Sequence, residues 1–341
     1  MARSTNSGSA WADISGATSS SYTTSSVTAA MSGYKYRCKI TNSVGSVTSN
    51  AVTLTVNVIE PILMKETTQN TSTNFYVLGA SRYTGNFDLT SVKRDTNILT
   101  ITILDTSTDT IPANYVASWD VSRDNNGSVT AWLVQDTVNT TMYHMYIGAE
   151  DGVKAMSGYY LFYNYSQCTN MYLDKLNTSI VTDMSYMFYG CSKLTSLDVS
   201  NFDTSLVTSM YMMFYNCYSL TGLELSNFNT SNVTSMSYMF GSCSKVTSLD
   251  LSNFNTSKTT SMTCMFQNCS GLTKLYLGDN FDRINGSSMF SGTTKLTTII
   301  STRTTPMTIG TGDNGLKTSN TKAVIYVPNA TVETNYEEDS S

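Results

Sequence analysis

The chain has 341 residues, room for about two or three domains and a sizeable buried core, and 40% of its residues are hydrophobic, as in folding proteins. Only 13% are charged, the net charge is −5, and no Lys/Arg run occurs, which disfavours a nucleic-acid partner. A single histidine, His144, rules out most His-based metal sites and triads, and no apolar run is long enough for a membrane-spanning helix. Met1 to Gly8 lacks the apolar stretch of a signal peptide, and Glu337, Glu338 and Asp339 near the C-terminus are no hydrophobic anchor. The expectation is a fragment of a longer secreted protein, or a protein that reaches its surface by another route.

Residues 1–58 form the first expected domain. Trp11, Tyr36-Arg37-Cys38 and the alternating Val52, Leu54 and Val56 resemble the back half of an immunoglobulin-like domain, with Trp11 on strand C and Tyr36 as the tyrosine corner. Asn42-Ser43-Val44-Gly45 reads as the hairpin turn between strands F and G. Cys38 has no upstream partner and there is no room for strands A and B. The expected domain is therefore a half-sandwich with an open edge.

Residues 59–158 read as a small β-rich unit that caps the C-terminal half of the chain. Leu99 to Ile103 is a strand, and Asp124-Asn125-Asn126-Gly127 is a turn between Trp119 and Val129. A calcium loop there fails, because the twelfth position would be Leu133.

Residues 159–300 repeat with a period of 26. Met-Phe occurs at Met187-Phe188, Met213-Phe214, Met239-Phe240 and Met265-Phe266, and returns at Met289-Phe290 after 24 residues; Leu161-Phe162 opens the series. Within a copy the period changes. Met210, Met213, Phe214 and Cys217 have the spacing of one helical face, with Thr208 or Ser209 as cap, so a short helix is predicted. Leu223 and Leu225 then alternate with Gly222 and Glu224 as a strand does, and a Ser/Thr/Asn stretch supplies the turn. Such a unit cannot bury its apolar face alone, so copies are expected to stack as a parallel solenoid.

Stacking turns equivalent positions into ladders. Leu197, Leu223, Leu249 and Leu275, Phe202, Phe228 and Phe254, and Met184, Met210, Met236 and Met262 are the predicted core. Cys191, Cys217, Cys243 and Cys269 form another column. It reads as small buried thiols packing as hydrophobes, with a redox or metal row, or a bridge between neighbours, as the alternatives. Cys264 is predicted to point outward.

The motif V-T-x-M-x-x-M-F-x-x-C-x-x-L-x-x-L-x-L-S-N-F resembles the BspA-like leucine-rich-repeat surface proteins of bacteria, over roughly residues 115–300. Trp119 to Ser122, Ser128 to Trp132 and Met145 to Ala149 resemble the segment that precedes such repeats. Ala323 to Pro328, within an expected cap and tail at 301–341, resembles a closing strand. The fold class expected is multidomain and β-rich: a partial Ig-like β-sandwich, a capping region and a leucine-rich-repeat-type α/β solenoid. The resemblance implies surface display, adhesion and binding of host components, and no catalytic residues.

Three clusters carry candidate chemistry. Gly310 to Gly315 matches G-x-G-x-x-G but lacks the following helix of a dinucleotide site, so a loop is the better reading. Asp198, Glu224 and Asp250 form an acidic row that reads as a solvated strip, a contact for a cation or basic ligand, or, less well, paired acids of a glycoside hydrolase. Tyr186, Tyr189, Met212, Tyr215 and Tyr238 occupy outward positions of the predicted helical half and are the preferred binding candidates, against the plainer reading that Tyr tolerates half-burial.

The functional expectation is a non-enzymatic adhesion protein that recognises a host or bacterial surface protein or glycan. It would need no cofactor, metal or membrane insertion, and would sit outside the cell. The alternatives are a phage virion fibre or decoration protein contacting its host, and a carbohydrate-active enzyme. A homo-oligomer or membership of a larger particle fits the first two.

Overall fold

A computed structural model describes residues 1–24, 31–56, 62–63, 78, 84–284, 286–305, 308–309 and 323–328. Gly310 to Gly315 and the acidic tail therefore lie outside the described residues. The chain divides into two compact units, Met1–Glu60 and Pro61–Ser341. It is β-rich and built from several sheets; the described residues contain no α-helix.

In the first unit, a four-stranded antiparallel sheet runs in the order Ala12–Asp13, Ala2–Ser4, Lys35–Arg37, Val52–Thr53. A separate hairpin joins Lys39–Thr41 to Ser46–Thr48. Its turn closes as the sequence predicts: the Asn42 side-chain oxygen accepts from the Val44 and Gly45 amides at 2.9 and 3.0 Å. Trp11 lies under the Arg37 guanidinium, 3.9 Å from its ring centre, rather than in a sheet core.

The second unit begins with a five-stranded mixed sheet, in the order Asn170–Tyr172, Ile98–Asp105, Tyr143–Ala149, Thr130–Gln135, Ala117–Asp120. The Ala117–Asp120 and Thr130–Gln135 strands are joined through the predicted turn, where Asn125 and Gly127 take positive φ of 53° and 74°. One face of this sheet is buried through Ile101, Ile103, Leu133, Met145 and Ile147. Because Asn170–Tyr172 pairs in parallel with Ile98–Asp105, the sheet is continuous with the start of the repeats.

The predicted short helix in each repeat does not form. Residues 184–191 instead form linked turns. The amides of Met187, Tyr189 and Cys191 donate back three residues, to Met184, Tyr186 and Phe188. The intervening amides of Met184, Tyr186, Phe188 and Gly190 donate outward to the carbonyls of Ser209, Tyr211, Met213 and Tyr215 in the next copy, at 2.8–2.9 Å. A helix keeps its amides for its own carbonyls; here every second one serves a neighbour, so all are satisfied without a helix. The geometry needs a left-handed residue every four: Tyr186 and Gly190, Met212 and Asn216, Tyr238 and Ser242, Cys264 and Asn268 all have φ between 54° and 72°. A turn repeated at that interval buries the same i, i+3, i+4, i+7 positions as a helix, which explains the misleading spacing.

The strand half also differs between copies. Ser248–Leu251, Lys274–Leu277, Thr298–Ser301 and Val324–Tyr326 form a parallel sheet in register. The equivalent segments around Leu197 and Leu223 are not paired as strands, and Leu223 is only partly buried. Isolated parallel bridges link Asp183, Ser209, Ser235 and Ser261 in succession.

The core follows the predicted columns. Met184, Met210, Met236 and Met262 are buried, and Phe162, Phe188, Phe214, Phe240, Phe266 and Phe290 stack ring on ring at 5.3–5.8 Å. Polar columns tie neighbouring copies together. The side-chain amide of Asn227 donates to the Val199 and Phe202 carbonyls, and that of Asn253 to Leu225 and Phe228. The buried Thr204 hydroxyl donates to the Asn229 carbonyl and accepts from its amide; Thr230 does the same at Asn255. All seven cysteines are free, and the four column thiols are buried. Cys264 is also buried, 5% exposed, contrary to its predicted outward position. Its left-handed backbone turns the thiol toward the Ser287 carbonyl, 3.6 Å away. Cys38 is the most exposed cysteine.

Candidate functional site

The linked turns align one residue at the first left-handed position of each copy and another three residues on. In consecutive copies the first position holds Tyr160, Tyr186, Met212 and Tyr238, and the second Tyr163, Tyr189, Tyr215 and Gly241. The hydrogen bonds between successive copies place these positions side by side, so the predicted candidates meet. Tyr186, Tyr189, Tyr215 and Tyr238 belong to one continuous cluster, with Met212 at the equivalent position between Tyr186 and Tyr238.

The cluster is larger than the sequence alone suggests. Tyr160 stacks on Tyr186 at 4.5 Å, and Tyr163, Tyr189 and Tyr215 form a second stack at 4.9 and 5.4 Å. Tyr211 meets Tyr186 and Tyr238 edge-on at 5.2 and 6.1 Å, Tyr238 meets Tyr215 edge-on at 5.8 Å, and Tyr159 closes the other end against Tyr160. Eight tyrosines thus make an unbroken network of ring contacts across four copies, and all but Tyr160 reach the surface. Tyr159, Tyr160, Tyr163 and Tyr211 were missed, although Tyr160 and Tyr163 stand 26 residues before Tyr186 and Tyr189, and extending the repeat back one copy finds them. Tyr211 fills a column that holds Ser185 and Ser237 in the adjacent copies.

The cluster's edge is also set by packing. A Cβ on Gly241 would lie 2.7 Å from the Tyr215 ring, so that ring occupies the space a side chain would take. All members but Tyr160 are half-buried; Tyr160 is 2% exposed. Burial raises the Tyr186 phenol to about 12, with the Tyr211 phenol adding to the shift, and burial also raises Tyr189. A hydrogen bond with Cys264 is the main cause of a similar rise, to about 12, at Tyr238. Tyr186, Tyr189 and Tyr238 are therefore held in their neutral form at physiological pH.

The acidic row is arranged differently. Asp198, Glu224 and Asp250 are exposed, and each carboxylate accepts from the amide two residues on, at Ser200, Ser226 and Ser252, at 2.9–3.0 Å. Hydrogen bonds from Ser200 and Ser226 hold Asp198 and Glu224 below the usual carboxylate range. These acids close local turns. Among the described residues, no group of three or more His, Cys, Asp or Glu is placed to hold a metal, and no helix is long and apolar enough to cross a membrane.

His144 has a setting the sequence did not reveal. Its Nδ1 lies 2.8 Å from the Thr100 hydroxyl and its Nε2 3.1 Å from Asp136. Thr100 and His144 are register partners on adjacent parallel strands, and Asp136 also accepts from the Val138 and Asn139 amides. The open grooves at Tyr115–Asp120 and around Asp151 and Asn201 are lined by other residues. The order hydroxyl, imidazole, carboxylate here is a cross-strand tie.

These features define a β-rich repeat protein with a tyrosine cluster running across its copies. Residues 149–223 and 197–303 match the family described as "Mycoplasma protein of unknown function, DUF285", and both matched stretches lie in the repeat region or at its entrance. No curated protein and no solved structure matches the chain.

Proposed function

We propose that this is a non-enzymatic surface-binding protein, displayed outside the cell, whose repeats form a leucine-rich-repeat-type solenoid of the BspA-like kind that contacts a host or cell-surface protein or glycan. The first unit is the partial immunoglobulin-like spacer that precedes it. In-register hydrogen bonding between residues 25 or 26 apart supports the solenoid reading. The observation that carries the binding assignment is the unbroken tyrosine surface. Clustered Tyr offers large contact area with few rotatable bonds, and the cluster lies on paired backbone rather than a loose loop.

The test compares two double variants for attachment to bacterial and epithelial cells. Tyr189→Ala with Tyr215→Ala is expected to abolish attachment. Because those rings stack, the pair also loses about 1 kcal/mol of stability, and circular dichroism confirms the fold. Asp198→Asn with Asp250→Asn leaves attachment near wild type. The reverse pattern moves the site to the acidic row.

A further inference from the structure

We infer that Tyr189 is a site of oxidative cross-linking, where a one-electron oxidant joins it by a dityrosine bond to the tyrosine stacked on it from a neighbouring copy, Tyr215 or Tyr163. The assignment does not depend on the tyrosine cluster being the contact surface. Its first support is ring placement. Tyr189 stacks on Tyr215 with centroids 5.4 Å apart and planes 18° from parallel, and on Tyr163 at 4.9 Å and 17°. Such offset stacking lays edge carbons of one ring over the next. The backbones that carry the stack are tied to one another. The Tyr215 carbonyl accepts from the Gly190 amide at 2.8 Å, and the Tyr189 carbonyl from the Asn164 amide at 2.6 Å. At the end of the stack the Tyr215 ring rests on Gly241, where an added Cβ would lie 2.7 Å from it. Reacting rings held in contact in this way favour a bond within the chain over one between chains.

The second support separates this stack from the rest of the cluster. Tyr160 also stacks on Tyr186, but it is 2% exposed, and its hydroxyl bonds those of Tyr159 and Tyr186. The Tyr186 hydroxyl bonds that of Tyr211 as well, and the Tyr238 hydroxyl bonds Cys264. Tyr189 and Tyr215 are both half-buried, and neither hydroxyl has a hydrogen bond among the described residues. They remain open to an oxidant in solvent, and their hydroxyl protons can pass to water.

The chemistry balances with hydrogen peroxide and a haem peroxidase as the oxidant. Each phenol loses one electron and its hydroxyl proton. The two phenoxyl radicals then join through carbons ortho to their oxygens, forming one C–C bond. The hydrogen on each of those carbons moves to the neighbouring oxygen as the ring regains aromaticity. Two electrons and two protons leave in all, and they reduce one hydrogen peroxide to two waters. The product closes a loop between positions 26 apart, which restricts the unfolded chain.

The test oxidises the full chain, at low protein concentration, with hydrogen peroxide and a haem peroxidase. Dityrosine fluorescence is read in the monomer band of a reducing, denaturing gel, and the link is mapped by digestion and mass spectrometry. The inference expects fluorescence in the monomer, from a cross-linked peptide pair holding Tyr189 with Tyr215 or with Tyr163. Tyr189→Phe keeps the stacked ring and is expected to lose the monomer signal. Tyr172→Phe removes a ring that is 53% exposed and outside the cluster, and is expected to keep it. Dityrosine confined to dimers, a monomer link between other tyrosines, or a monomer signal unchanged by Tyr189→Phe overturns the inference. The map of the wild-type link decides the matter even where a variant folds poorly.

Discussion

The thiol of Cys243 donates to the backbone carbonyl of Phe214, one copy back, at 3.2 Å. Cys191, Cys217 and Cys269 make the same bond to Phe162, Phe188 and Phe240 at 3.0–3.2 Å, and in the last copy the Thr293 hydroxyl donates to Phe266. The column is defined by a small donor rather than by sulfur chemistry. Cys243→Thr is therefore expected to unfold at nearly the wild-type urea midpoint. Cys243→Val, of the same shape as threonine but without a donor, loses about 1 kcal/mol. Equal stability of the two variants would show that the bond contributes nothing.

The same column predicts a loss of stability in alkali. Burial holds the thiols of Cys217 and Cys243 well above their ordinary value of 9.0 and raises Cys269 to about 12. Unfolding exposes them and returns them to that ordinary value. The folded state therefore binds protons more tightly, and the contribution is fully present below the unfolded pKa and declines as pH rises through the folded one. Urea midpoints should hold steady from about pH 7 to 8 and fall progressively above about pH 9. Cys217→Thr with Cys243→Thr should flatten that fall. An unchanged alkaline limb in this double variant would assign the loss to other groups.

Met212 tests the cost of left-handed backbone. Its φ is 55°, and four residues on Asn216 sits at 63°. Asparagine tolerates this region and β-branched residues do not. Met212→Asn should retain wild-type stability or gain slightly, whereas Met212→Val should lose about 1–3 kcal/mol. Comparable melting temperatures for the two would argue against the observed turn geometry.

The buried Met, Phe and Cys columns and four members of the tyrosine cluster were legible because a period of 26 dictates which residues become neighbours once copies lie in register. The local conformation was not. Met210, Met213, Phe214 and Cys217 carry a helical spacing, but that spacing records only which side is buried, and a turn with a left-handed residue every four buries the same set. Cys264 was misplaced for the same reason: its orientation follows from φ of 54°, which a helical assumption cannot supply. The His144 tie to Thr100 and Asp136 depends on the pairing of distant strands, and no local pattern encodes it.

The central claim, that the tyrosine surface is the contact surface, is tested most directly by hydroxyl-radical footprinting of the free protein and of the protein attached to target cells. Tyr115 and Tyr172, 45% and 53% exposed and outside the cluster, serve as internal controls. The expected result is that Tyr186, Tyr189, Tyr211, Tyr215 and Tyr238 lose reactivity together on attachment while Tyr115 and Tyr172 keep theirs. Protection of the acidic row around Asp198 and Asp250, with the tyrosine cluster still reactive, would contradict it.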